Sequence, residues 1–220
     1  MEHEFWLQHW RDGLIGFHQS TVQPLLAKYW ATLGLAPGSR VFVPLAGKSL
    51  DMLWLVDQGH RVLGVELSPL AVEQFFAEHE LKPVIHESRY GKHHVAGPIE
   101  LICGDVFALD APALADCSGV YDRAALVALP PAMRSRYAAE LYARLPAGSC
   151  GLLLTFEYPQ AQMQGPPFSV PEVEVHQLFT PIAELEMLDR REVLDTNPEL
   201  AARGLGALTS CAWRLQRRVT

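Results

Sequence analysis

Between Arg40 and Ser68 the chain reads RVFVPLAGKSLDMLWLVDQGHRVLGVELS, the stretch that most narrows what it can fold into. The residues spell a buried strand, a tight loop around Gly47, an amphipathic helix and a second buried strand ending on Glu66. Gly47 and Glu66 stand 19 positions apart, about the separation at which a Rossmann-type unit sets an acid against a ribose hydroxyl. An adenosine-containing cofactor is therefore the first expectation. The other motifs decide which one.

A chain of 220 residues, 49% hydrophobic and 20% charged, carries enough apolar material for one large domain. Its net charge of −7 argues against nucleic acid, whose phosphates are gripped by basic patches. The pairs Arg190-Arg191 and Arg217-Arg218 are too short to reverse that. Cys103, Cys117, Cys150 and Cys211 form no C-x-x-C pair, which excludes a disulfide framework or cysteine zinc site and suits a reducing cytoplasm. The opening MEHEFWLQHWRDG is charged and amphipathic, unlike a signal peptide, and no window approaches the ~18 apolar residues of a membrane span. The expectation is a cytoplasmic monomer with a small-molecule partner and neither a membrane nor a nucleic acid to bind.

Along the chain, Phe5, Trp6, Leu7 and Trp10 give a short helix with one aromatic side, broken by Gly13 and Gly16. A second helix is expected from about Val22 to Leu33. Strands follow at Val41 to Val43, Val62 to Val65, Ile99 to Cys103, Gly119 to Tyr121 and Leu152 to Phe156. Helices are expected from Leu70 to His79, from Pro130-Pro131 to about Leu145, and over about 171–179. Two closing strands fall at about 185–194 and near Ala207 to Arg217, while Val84 to Val95 reads as an inserted hairpin. Five strand–helix units and two closing strands predict an α/β fold: a doubly wound, Rossmann-like, seven-stranded sheet. Residues 1–36 would form an N-terminal helical lid, and residues 37–220 the core of the same single domain. The irregular stretch Pro159 to Pro171 reads as an active-site cover or a structured surface loop.

Gly47-Lys48-Ser49 is not a P-loop, because Phe42 stands where the first glycine must be. Leu45-Ala46-Gly47 likewise supplies one glycine where a dinucleotide fingerprint needs three, which counts against a nicotinamide oxidoreductase. A single glycine suits a cofactor with no phosphate there, such as S-adenosylmethionine. Glu66 would accept hydrogen bonds from both ribose hydroxyls. Asp105 would accept from the adenine amino group with Val106 packed on the ring, or would cap the following turn; both readings stand. Arg123, beyond the fourth strand, would recognise a planar or anionic acceptor through its guanidinium fork, with a surface ion pair as the plain alternative. The nine histidines show no metal-ligand spacing, and His93 and His94 face opposite sides of an extended strand, so no metal is expected. No Ser-His-Asp or Cys-His set is evident, as suits a group carried ready-activated by its cofactor. A catalytically silent nucleotide-binding module is the remaining rival, against which the combined cofactor and acceptor residues speak.

In the segments FWLQHWRDGLIGFHQ, RVFVPLAGKSLDMLWL, GHRVLGVELS, VYDRAALVALPP and GPPFSV, in that order, the chain resembles the thiopurine S-methyltransferase family in its bacterial form. The resemblance spans essentially the whole length. It implies a class I S-adenosylmethionine-dependent fold with an N-terminal segment closing over the cofactor. It further implies that Trp10, Leu45, Glu66 and Arg123 contact the cofactor, that Asp105 and Val106 form the adenine turn, and that Phe17 faces the thiopurine. The implied reaction moves a methyl group to the sulfur of a thiopurine or similar heterocyclic thiol, with Arg123 steadying the acceptor anion. A selenium or tellurium oxyanion is the alternative acceptor. Where the family commonly reads P-L-C-G-K, this chain has Ala46 in place of the cysteine.

Overall fold

The computed structural model describes residues 3–219. The first unit is β1 (Arg40–Pro44), α3 (Asp51–Asp57) and β2 (Arg61–Glu66), preceded by α1 (His3–Arg11) and α2 (Pro24–Tyr29). Beyond it lie α4 (Pro69–Glu78), β3 (Val84–Ser88), β4 (Gly91–Ala96), β5 (Ile99–Cys103), α5 (Ala111–Leu114) and β6 (Cys117–Asp122). The chain ends with α6 (Pro131–Arg136), β7 (Cys150–Glu157), α7 (Glu172–Phe179), β8 (Ala183–Glu192), α8 (Pro198–Ala202) and β9 (Thr209–Arg217).

Among the described residues, nine strands form one sheet in the order β3-β4-β5-β2-β1-β6-β7-β9-β8. The five central strands run parallel, and β9 lies antiparallel between β7 and β8. The expected seven strands are therefore the core, and the sheet has nine because the hairpin is no separate insert. β4 pairs antiparallel with β5 through five residue pairs, so β3 and β4 extend the same edge. Alternate residues of β1 show why the sheet is covered on both faces. Phe42 packs with Leu63, Ile102 and Leu126, whereas Val41 and Val43 pack on the other side with Met52, Leu55 and Phe75.

Local chemistry explains the boundaries. The Ser68 hydroxyl accepts from the Ala71 amide and Pro69 takes the first helical position, which starts α4 as the sequence implies. The helix expected over Val22 to Leu33 is shorter, because α2 gives way to a 3-10 turn, Trp30–Leu33, that ends on left-handed Gly34. After α6 the helix continues as a π turn, Tyr137–Leu141, and then a 3-10 turn. The strand order reverses where β1 neighbours both β2 and β6, and a crevice above the carboxyl ends at such a point is where sheets of this kind hold ligands. Among the described residues no helix is long and apolar enough to cross a membrane.

Candidate functional site

β1 delivers the chain into a turn in which Leu45 and Gly47 are both left-handed, with φ of 47° and 53°. The Ala46 amide still bonds to the Val65 carbonyl at 2.9 Å, so the turn stays anchored to β2. That anchoring brings the Gly47 amide to Glu66 Oε2 at 2.8 Å, while the Ser68 amide reaches Oε1, also at 2.8 Å. Glu66 is only 7% exposed. Burial pushes its carboxyl pKa up, and the amides of Ser68, Gly47 and Leu67 pull it back. A carboxylate offers about four acceptor positions, so these three amides still leave capacity for a ligand hydroxyl.

The N-terminal segment lies over this turn. Trp10 is 4% exposed, and a Cβ on Gly47 would come within 3.3 Å of its ring. Any side chain there would push the indole away, so glycine serves both the backbone angle and the close approach. Phe17 meets Trp10 and Trp6 edge-on, with centroids at 5.5 and 5.8 Å. At the other end of α1, His3 Nε2 lies 3.4 Å from Asp105 Oδ2. The segment thus reaches from the end of β5 to the Gly47 turn.

Arg123 follows directly after β6 and donates from Nη2 to the Phe17 carbonyl at 3.0 Å. Its neighbour Asp122 makes no ion pair with it. Asp122 is fully buried, accepts from the Leu126 amide and from the hydroxyls of Tyr137 and Tyr142, and has its pKa raised by that burial. A surface Asp122–Arg123 pair is thereby ruled out. Arg123, Phe17, His18 and the segment Leu45 to Ser49 line a cavity of about 30 Å³. His18 and Lys48 are additions that the sequence reading passed over, although each directly follows a residue it singled out. Lys48 Nζ is held by Glu78 at 2.5 Å. Burial first, and then Lys48, lowers the His18 pKa and keeps its ring neutral near pH 7.

Asp105 caps the turn Val106–Ala108, its Oδ1 accepting from the Phe107 amide at 2.9 Å, and Val106 is buried beside it. The capping reading is therefore realised in the geometry, with Oδ2 left toward His3. The irregular stretch after β7 joins the same rim. The Phe168 amide bonds to the Val127 carbonyl at 2.7 Å, and the buried Arg134 guanidinium holds the Leu129 and Ser169 carbonyls and Glu174. A larger cavity of about 230 Å³, lined by Asp116, Ser118 and Pro146 to Ser149, opens at the amino ends of β6 and β7. It lies on the rim that sheets of this class do not use for ligands.

The family model described as thiopurine S-methyltransferase matches residues 1–218. The chain belongs to the thiopurine S-methyltransferase family. It is 61% identical over 217 residues to thiopurine S-methyltransferase of Nitrosomonas eutropha, covering 99% of each chain. The corresponding enzyme of Bordetella pertussis is 58% identical over 217 residues, again with 99% of each covered. Among solved structures, 1,6-didemethyltoxoflavin-N1-methyltransferase of Burkholderia thailandensis, with bound 1,6-didemethyltoxoflavin and S-adenosylhomocysteine, aligns at a TM-score of 0.66 and 19% identity. That alignment covers 99% of this chain and 87% of the other, and it establishes the shared class I methyltransferase fold. The methyl donor of the thiopurine S-methyltransferase family is S-adenosylmethionine. The residues present suit it: a buried carboxylate with spare acceptor capacity, a side-chain-free turn beside it and no phosphate cradle.

Proposed function

We propose that this chain transfers the methyl group of S-adenosylmethionine to the sulfur of a thiopurine or a similar heterocyclic thiol, held as its anion beside Arg123. Family membership supports the reaction class. The observation that supports the acceptor's charge is Arg123 itself, which enters the cavity with a carbonyl partner and, among the described residues, no ion-pair partner. Lys48 is neutralised by Glu78 and His18 stays uncharged, so Arg123 is the uncompensated positive charge of this cavity. A guanidinium has five N–H donors in a planar fork, of which Nη2 supplies one to Phe17.

The cofactor supplies a methyl group already activated on a sulfonium. The chain's work is then to bind, align and exclude water. Glu66 accepts from the ribose hydroxyls, and the backbone at Leu45 and Gly47 permits close approach. Asp105 and Val106 flank the adenine edge. Trp10 and Phe17 close the site, with the Phe17 carbonyl latched to Arg123. Ligand pockets run to roughly 300 Å³ or more, far above the present cavity of about 30 Å³, so the segment from α1 to Phe17 lifts to admit its ligands. Alignment of this sort is worth roughly 7–11 kcal/mol in favourable cases, more than a catalytic base would add.

Steady-state kinetics on 6-mercaptopurine, run beside calorimetry with S-adenosylhomocysteine, tests the reading. In Arg123→Ala, kcat/KM falls by about 10–100-fold, the worth of one charge-assisted contact, while part of the S-adenosylhomocysteine affinity survives. Wild-type turnover in that variant would remove Arg123 from the acceptor site. A selenium or tellurium oxyanion would meet the same guanidinium. Parallel assays with selenite and tellurite separate that acceptor class from the thiols.

A further inference from the structure

Nine histidines without metal-ligand spacing give no metal site when the chain is read in order. The hairpin changes their arrangement. In the β3–β4 register His86 stands directly opposite His93, and in the β4–β5 register Val95 stands opposite Glu100. His86, His93, Val95 and Glu100 consequently project from one face of three neighbouring strands. One nitrogen from each imidazole and one oxygen of Glu100 all lie within 4.8 Å of one another. The two rings stack with centroids 4.6 Å apart and planes inclined by 20°.

We propose that His86, His93 and Glu100 form a binding site for a borderline transition-metal ion, zinc above all, which ties together the outer strands of the sheet. Two imidazoles and a carboxylate are the donor set that Zn²⁺ takes in three-ligand sites, with water completing the tetrahedron. Bonds of about 2.0–2.2 Å place tetrahedral ligand atoms roughly 3.4 Å apart. His86 is exposed and can swing to close the remaining gap, whereas His93 is 7% exposed and already set.

The surroundings of the two fixed ligands support the assignment. His93 Nδ1 lies 2.5 Å from Glu100 Oε1, and its Nε2 lies 2.6 Å from the Ser88 hydroxyl. Arg40 Nη2 donates to the other oxygen, Glu100 Oε2, at 2.5 Å, and its Nη1 donates to Asp116 Oδ1 at 2.7 Å. A metal-bound histidine characteristically gives its second ring N–H to an oxygen, and a metal-bound carboxylate is itself hydrogen-bonded. Ser88 and Arg40 stand in those outer positions. On binding, the cation takes Nδ1 and Oε1, the single proton of the neutral imidazole passes through solvent from Nδ1 to Nε2, and Nε2–H donates to Ser88 Oγ. The Arg40 charge beside Glu100 moderates affinity, so the site is built for micromolar rather than structural-finger strength.

The place of the cluster suggests its consequence. β3 is the edge strand and every one of its residues is exposed. Such an edge is the part of a sheet most open to fraying and to pairing with other chains. One ion held by β3, β4 and β5 would fasten it. Glu100 lies near the amino end of β5, away from the carboxyl rim, so the ion takes no part in methyl transfer and the test is independent of that activity.

The full-length protein, stripped with chelator, is titrated with zinc chloride by calorimetry. Hydrogen–deuterium exchange of residues 84–88 is followed with and without the metal. Wild type is expected to bind one equivalent at micromolar concentration and to show slowed exchange over 84–88. His86→Ala, a change at an exposed position that leaves the fold intact, weakens binding at least about tenfold and removes the protection. His176→Ala, exposed on α7, retains both. If wild type binds zinc no tighter than His86→Ala, or if bound zinc leaves exchange over 84–88 unchanged, the cluster is a hydrogen-bonded polar patch and the proposal falls.

Discussion

Two strands of this sheet end on a buried carboxylate at the same rim, and the two are built for different ends. Glu66 closes β2 and Asp122 closes β6, and burial raises the pKa of each. Asp122 is saturated from within: Oδ1 takes the Leu126 amide at 3.1 Å, Oδ2 takes two tyrosine hydroxyls at 2.8 Å each, and the Ala125 amide is a fourth donor. Glu66 receives backbone amides from the two turns that flank the crevice, and no side-chain donor reaches it among the described residues. A carboxylate satisfied by the protein's own side chains fastens elements together. One held only by the backbone is oriented and left with capacity for a ligand.

Substitution should separate the two most sharply in stability. Asp122→Ala strands the Tyr137 and Tyr142 hydroxyls and the Leu126 amide in the interior, at about 1–3 kcal/mol for each unpaired group before relaxation. A net loss of about 3–5 kcal/mol is expected, read by calorimetry as a fall in Tm on the order of 10 °C. A fall of only a degree or two would show that Asp122 is not the fastening the geometry describes. Glu66→Gln keeps the shape and exchanges one acceptor oxygen for a donor. S-adenosylhomocysteine affinity should drop by about 10–100-fold in titration calorimetry, with a much smaller change in Tm than Asp122→Ala produces. Equal damage to Tm in both variants would erase the distinction.

The contrast also marks how far the sequence could be read. Glu66 and the Gly47 turn belong to one local strand–helix–strand unit, so spacing alone brought them together, and the cofactor class followed. From the sequence Asp122 enters only through the plain alternative of a surface pair with Arg123, because its real partners lie 15 and 20 residues onward, on a helix of changing pitch. Tyr137 and Tyr142 are five apart, and on a regular α-helix they would point about 140° from each other. The π turn between them, with its i→i+5 bonding and more residues per turn, brings positions five apart toward one side and both hydroxyls onto Oδ2. Arg134 was hidden for a similar reason. An arginine within a proline-started helix suggests solvent, yet the Leu129 carbonyl and, from distant segments, the Ser169 carbonyl and Glu174 satisfy it in the interior. The joining of the hairpin to the sheet rests on the pairing of β4 with β5, and only that register sets His86, His93 and Glu100 side by side.

The smallest effect, and the finest division between the two acids, lies in pH. Glu66 has its folded pKa raised above the ordinary value of 4.5, chiefly by burial. Between the unfolded and the folded pKa the native chain therefore binds the extra proton, and stability falls as pH rises through that window. Affinity for S-adenosylhomocysteine must move the opposite way. A protonated Glu66 loses acceptor capacity, so binding weakens as pH falls through the raised pKa, beginning at a pH where a free glutamate would still be ionised. Asp122 carries a shift of the same sign but touches only the protein's own donors, so it should contribute to stability against pH and not to binding against pH. Calorimetric affinities measured from pH 7.5 downward should keep their acid limb in Asp122→Asn and lose it in Glu66→Gln. An acid limb that survives in Glu66→Gln would mean that some other group senses the proton, and Glu66 would no longer be the ribose anchor.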